Sequence, residues 1–207
     1  MGSVTHQALQ KLFQAEADPE NAVMTAWQNV IDREGEPEWH DVDATDSYKR
    51  AKKMIAAYWP IASTIEPIAV EQRFEEKIAG VTVVGYVDRE LKDRILEVKT
   101  ASAKVAKPKS RWSFQGRLYS LVSQKPIEWN VITRQVTPKI YTPDNAPDLY
   151  VPAFNADATV YIVRQAVERM NDLYARHGKD QAWPMDGIFG DWSCGYCSFR
   201  KRCPAWT

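Results

Sequence analysis

Residues 81–100 read VTVVGYVDRELKDRILEVKT, and this stretch decides the fold. Two runs of β-branched and apolar residues, 81–91 and 94–100, flank the polar turn Lys92-Asp93, the pattern of a β-hairpin. Just upstream, residues 68–78, IAVEQRFEEKI, form a third run joined through Ala79-Gly80. The middle of the chain therefore reads as a three-stranded meander. Side chains alternate along a strand, so Leu96 and Val98 make an apolar face suited to a core, while Glu97 and Lys99 share the other face. Asp88 lies late in the preceding strand, and pairing through the short turn brings it toward Glu97.

Helical patterns lie on both sides of the meander. Val4, Leu9, Leu12 and Phe13 recur at helical spacing, and Pro19 opens a segment carrying Val23, Trp27 and Ile31. A third helix starts near Asp46 with Ala51, Ile55 and Tyr58 inward, and Pro60 is expected to end or kink it. Downstream, 111–123 returns to helical spacing through Trp112, Leu118, Leu121 and Val122. Residues 127–136 and 139–141 read as strands, and 156–174 as a long helix with Val160, Val163, Val167 and Met170. The tail, WPMDGIFGDWSCGYCSFRKRCPAWT, is aperiodic and suits a compact plug folded around a metal or against a neighbouring surface. The expected architecture is α/β: a mixed central sheet flanked by helices within one domain over 1–207. Its parts are a helical region to residue 65, a sheet and helix over 66–143, and a C-terminal helix and cysteine segment over 144–207.

Composition narrows the class. The chain has 207 residues, 44% hydrophobic and 26% charged, enough to bury a core, and its 27 basic and 27 acidic residues cancel. A zero net charge excludes a polybasic nucleic-acid binder, so any phosphate affinity must be local. The first residues, MGSVTHQALQ, lack a secretory pattern, and no stretch approaches the roughly 18 apolar residues of a membrane span, so a cytoplasmic protein is expected, in the host cytoplasm if phage-encoded. The three cysteines, Cys194, Cys197 and Cys203, are odd in number and closely spaced, which suits metal ligation better than disulfides.

Asp88, Glu97 and Lys99 at one end of a sheet would make a site for a hard cation, Mg²⁺ or Mn²⁺. Such a cation lowers the pKa of water and neutralises phosphate charge, while a lysine supplies a positive point charge, which together suit phosphodiester hydrolysis. An isolated set of this kind can equally be a solvated strand face. The neighbours weigh against that: Glu71 lies one strand earlier, and Gln115 and Tyr119, four apart, share one face of the following helix. From Lys99 to Arg117 there are six basic residues, Lys99, Lys104, Lys107, Lys109, Arg111 and Arg117, and no acidic one. This stripe would attract a phosphate backbone, and Trp112 and Phe114 within it could stack on bases. His6 cannot be brought to Asp88 by spacing alone, and a lone histidine is more often structural; the same holds for His40 and His177.

Taken together these residues resemble the RecB-like exonuclease branch of the PD-(D/E)XK nuclease superfamily, which includes CRISPR adaptation nucleases with a cysteine cluster. The resemblance runs in order over nearly the whole chain: GSVTH with His6, VEQRF with Glu71, GYVD with Asp88, EVK with Glu97 and Lys99, QGRLY with Gln115 and Tyr119, then CGYCSFRKRC. It implies a restriction-endonuclease-like core. It implies metal binding by His6, Asp88, Glu97 and the Val98 carbonyl, catalytic assistance from Lys99, and DNA positioning by Gln115 and Tyr119. The implied activity is Mg²⁺- or Mn²⁺-dependent DNA hydrolysis, exonucleolytic on single strands or duplex ends, in recombination, repair or phage DNA processing, with a helicase or recombination partner. A catalytically silent DNA-end or helicase-binding module is the competing reading. In such nucleases a fourth, upstream cysteine joins three C-terminal ones on a structural [4Fe-4S] cluster. Here that cysteine is missing, and a shortened variant with a partial or absent cluster is expected. A non-cysteine fourth ligand, free thiols, or Zn²⁺ held with a histidine are the other readings.

Overall fold

In the computed structural model, which describes residues 2–14, 18–34, 44–103, 105 and 110–177, the central strands are buried on both faces. The elements in chain order are α1 (Gly2–Phe13), α2 (Pro19–Glu34), α3 (Ala44–Ala62), β1 (Ala69–Ile78), β2 (Val81–Glu90), β3 (Ile95–Ala101), α4 (Ser110–Ser123), β4 (Ile127–Thr133), β5 (Ile140–Tyr141), a short 3-10 turn (Pro147–Leu149), β6 (Tyr150–Val151) and α5 (Ala156–His177). They divide into two compact units, Met1–Phe74 with Val84–Phe154, and Glu75–Val83 with Asn155–Thr207. The expected mixed α/β architecture is present. The sheet runs β1-β2-β3-β4-β5, with β6 also on β4; β3 and β4 are parallel, and β2–β3, β4–β5 and β4–β6 are antiparallel.

In the first unit the sheet has a helical layer on each side. Leu96, Val98 and Ile132 pack with buried residues of α1, α2 and α3, among them Val4, Leu9, Val23, Met54, Ile55 and Tyr58. On the opposite face Ile95, Ala101, Ile127, Trp129 and Val131 pack with Tyr119 of α4. Each large apolar side chain buried this way contributes about 1.5–3 kcal/mol. Gly116 lets α4 approach closely, because a Cβ there would lie 3.0 Å from the Trp129 ring and 3.2 Å from Phe154. Asp18 caps α2 by accepting from the Glu20 and Asn21 amides at 3.0 and 3.1 Å, with Pro19 at the first helical position.

Pro60 neither ends nor breaks α3, which runs on to Ala62. Its missing N–H forfeits one bond, but the helical pattern continues past it, with Ser63 N donating to the Trp59 carbonyl at 2.8 Å. Two strands are shorter than their sequence pattern, β4 stopping at Thr133 and β5 starting at Ile140, while α5 extends to His177. In the second unit, Ala79 (φ 52°) and Gly80 (φ 85°) make the two-residue turn between β1 and β2, and the Asn155 side chain caps α5 by accepting from Ala158 N at 2.8 Å.

Candidate metal and phosphodiester site

The β2–β3 ladder pairs Arg89 with Leu96 and Glu90 with Ile95. One step further the register sets Asp88 opposite Glu97, and here a side chain takes over from the ladder: the Val98 amide donates to Asp88 Oδ2 at 2.9 Å. The same oxygen lies 3.3 Å from His6 Nδ1. His6 reaches it because Val4, Ala8, Leu9 and Leu12 anchor the buried face of α1. Glu71 of β1 completes the group: a ligand atom from each of His6, Glu71 and Asp88 lies within 4.8 Å of the others. A cavity of about 10 Å³ sits among these residues, with Phe13, Val70, Arg89 and Val98 also in its walls. That is the size for one water or one ion.

Glu97 and Lys99 face α4. Glu97 is 1% exposed, so the solvated-face reading fails for it. Its Oε1 accepts from Lys99 Nζ at 2.5 Å and from Gln115 Nε2 at 2.9 Å, while Gln115 Oε1 accepts from Lys99 at 2.7 Å. Tyr119 OH donates to the Tyr86 carbonyl at 2.5 Å and accepts from Gln115 Nε2. The Lys99 ammonium also lies 5.8 Å from the centre of the Trp129 ring, on the strand β4 that pairs with β3. The second Glu97 oxygen, Oε2, is buried with no hydrogen-bond partner among the described residues. A buried orphan oxygen of that kind is costly unless something cationic completes it.

The proton affinities follow from this crowding. Burial, then the charge of Asp88, pushes Glu97 up to about 8 against the pull of Lys99. Burial and Asp88 also raise Glu71. Burial works against the charge on Asp88, but His6 and Lys99 outweigh it and hold this carboxyl below its ordinary range. For His6, burial opposes protonation while Asp88 and Glu97 favour it, and the net shift is upward. Burial and the Glu97 charge raise Tyr119, which stays a neutral phenol and hydrogen-bond donor. Glu97 and Glu71 are thus packed where burial and repulsion from Asp88 favour protonation. A divalent cation relieves the same repulsion, and the His–carboxylate donor set with an orphan buried oxygen fits one.

The structure thus brings His6, Asp88, Glu97, Lys99, Gln115 and Tyr119 together. It adds Glu71, which the sequence placed only on a neighbouring strand, and groups it more tightly with His6 and Asp88 than Glu97 is. Val98 contributes its amide to Asp88. Arg89 was not singled out from sequence; it is 2% exposed, its guanidinium lies 4.5 Å from the Phe13 ring and 5.7 Å from that of Tyr58, and its position directly after Asp88 was the available signal. Arg117 lies over the Phe154 ring at 4.6 Å, and Phe114 is 37% exposed. Lys104, Lys107, Lys109, Cys194, Cys197 and Cys203 lie outside the described residues, as do the side chains of Arg111 and Trp112.

Residues 1–204 match the PD-(D/E)XK nuclease superfamily, and the chain belongs to it. This superfamily comprises metal-dependent phosphodiester hydrolases. No curated protein matches the chain. Among solved structures, a protein of Eubacterium rectale named "Putative exonuclease" has a TM-score of 0.53 at 13% identity over 81% of this chain, which spans 65% of that one. The protein SSO0001 has a TM-score of 0.50 at 12% identity, over 87% of this chain and 95% of the other. At these identities the likeness is one of fold. Among the described residues no helix is long and apolar enough to cross a membrane.

Proposed function

We propose that this protein is a Mg²⁺- or Mn²⁺-dependent deoxyribonuclease of the RecB-like branch, acting as an exonuclease in recombination, repair or phage DNA processing. The observation that carries the reading is the buried junction of Asp88, Glu97 and Lys99, with His6 and Glu71 grouped at Asp88, Gln115 and Tyr119 joined to Glu97 and Lys99, and one Glu97 oxygen buried without a partner among the described residues. The match over 1–204 supports reading the chain as one nuclease domain, and the name of the Eubacterium rectale structure favours the exonuclease reading.

In this reading His6, Glu71, Asp88 and Glu97 Oε2 would hold the cation. It supplies Lewis acidity that lowers the pKa of water and draws charge from the phosphoryl oxygens. The protein's own residues set the stage. Gln115 bridges Glu97 and Lys99, so the carboxylate and the ammonium hold fixed positions without waiting for substrate. Lys99 offers its charge where negative charge grows in the transition state. Tyr119, anchored on the Tyr86 carbonyl, locks Gln115 in turn. Lys104, Lys107, Lys109, Arg111 and Arg117 would guide the DNA backbone, and the three cysteines would hold an iron–sulfur or zinc centre.

The test is cleavage of end-labelled single- and double-stranded DNA with Mn²⁺ or Mg²⁺ against EDTA. Metal-dependent products that disappear in Lys99→Ala are expected, and their order of appearance reports the end attacked. Intact DNA with either metal, with binding retained, would replace this reading by the silent end-binding module.

A further inference from the structure

We infer that the groove beside the metal cavity is a stacking site for unpaired bases of the strand being cut. The inference rests on the nuclease reading above. The groove, about 520 Å³ and open to solvent, lies between the end of α1, the end of α3 and the start of β1. Its volume falls in the range of ligand pockets, roughly 300–1,000 Å³. Leu12, Phe13, Trp59, Ile65, Ile68 and Val70 give it apolar walls. Phe13 and Trp59 meet edge to face, their centres 5.5 Å apart at 72°, and Ile68 is 66% exposed at the rim.

Two observations select the occupant. Phe13 and Val70 line both this groove and the metal cavity, so the concavity adjoins the place where a phosphate would be cut. A strand with one phosphate held at the mouth of the cavity has to send its next nucleotide into an adjoining space. The charge pattern decides which part of that nucleotide fits. Among the described residues the lining holds one charged side chain, Glu66, and no lysine or arginine, so it disfavours phosphate and offers flat aromatic and aliphatic surface instead. Such surface holds bases by stacking with little regard to sequence, and only unpaired bases expose the faces it needs. Gln14, Ser63 and Glu66 add polar groups that base edges can meet.

The test uses the full chain and two probes. Anisotropy of a labelled oligothymidylate in EDTA reads the groove, and Mn²⁺-dependent hydrolysis of bis(p-nitrophenyl) phosphate, which has no base, reads the chemistry. Trp59→Ala should weaken oligothymidylate binding roughly tenfold, the effect of losing one base stack. Trp59→Phe should restore most of it. Base-free hydrolysis should stay within about twofold of wild type in both variants, which also shows that they fold, and an oligomer of abasic residues should bind wild type and Trp59→Ala alike. Ile68→Asp, a change at an exposed position, should weaken oligothymidylate binding as well. Equal oligothymidylate affinity in wild type, Trp59→Ala and Ile68→Asp, with hydrolysis intact, would overturn the stacking site alone. So would an Ile68-dependent dimer whose DNA affinity is unaltered, since a second copy would then fill the groove. Failure of the wild type to hydrolyse the base-free ester would instead overturn the nuclease reading, and this inference with it.

Discussion

At Glu71, near the start of β1, the backbone adopts φ 51°, a left-handed conformation that a residue with a Cβ rarely takes. A conformation of this sort costs on the order of 1 kcal/mol and persists where function demands it. Here it accompanies the placement of the Glu71 carboxylate beside His6 and Asp88. Asparagine tolerates the same φ without supplying a carboxylate. Glu71→Asn should therefore leave the metal-free melting temperature equal or higher, while reducing the upward shift produced by Mn²⁺ and abolishing DNA cleavage. An undiminished Mn²⁺ shift in scanning calorimetry would remove Glu71 from the ligand set. In the sequence Glu71 stands out only through the order of motifs, since alternation puts Glu75 on the same face and nothing else local separates the two. A twist that turns one carboxylate toward another element is invisible to alternation rules.

Elements show the same division. The hairpin of β2 and β3 was legible because both strands are β-branched and bounded by short polar turns. The Ala79-Gly80 turn was legible too, but its cost was not: Ala79 sits at φ 52° where the two-residue loop needs positive φ at both positions. Ala79→Asn should stabilise the protein by about 0.5–1 kcal/mol, read as a higher urea midpoint at unchanged slope. A lower midpoint would show that the alanine methyl makes a contact worth more than the strain. On α4 the four-residue spacing put Gln115 and Tyr119 on one face, as found, whereas their partners, Glu97, Lys99 and the Tyr86 carbonyl, belong to two different strands.

For the whole molecule, the site links folding to pH, and a cation held there would link it to metal as well. Glu97 has a folded pKa of about 8 against an ordinary 4.5, so its folded form holds a proton more tightly and stability falls as pH rises from about 5 to 8. His6, also raised, adds stability below 6.5 that is lost as pH climbs through its folded value. Asp88, lowered, acts oppositely: its contribution is present above 3.8 and lost as acid titrates its folded form. A cation must displace the protons on Glu97 and His6. The melting-temperature increment from Mn²⁺ over EDTA should thus be larger at pH 8 than at pH 6, and the difference should shrink in Glu97→Gln. Equal increments at both pH values in the wild type would show that the cation does not compete for these groups.

What the sequence determined by itself were the properties that depend on near neighbours. These include the period-two strands with a charged and an apolar face, the helices with their i, i+4 pairs, the helix opened by Pro19, and the order of motifs that marks the superfamily. Residues a few positions either side of a hairpin turn, such as Asp88 and Glu97, nine positions apart, could be brought near each other by counting. His6 could not, because it lies 82 positions before Asp88 with α2, α3 and β1 between them, and only the packing of α1, α2 and α3 against Leu96 and Val98 sets α1 at the strand end. Tertiary structure alone also decided that Glu97 is buried with one oxygen unpartnered, since burial depends on what covers a face and not on which residues compose it.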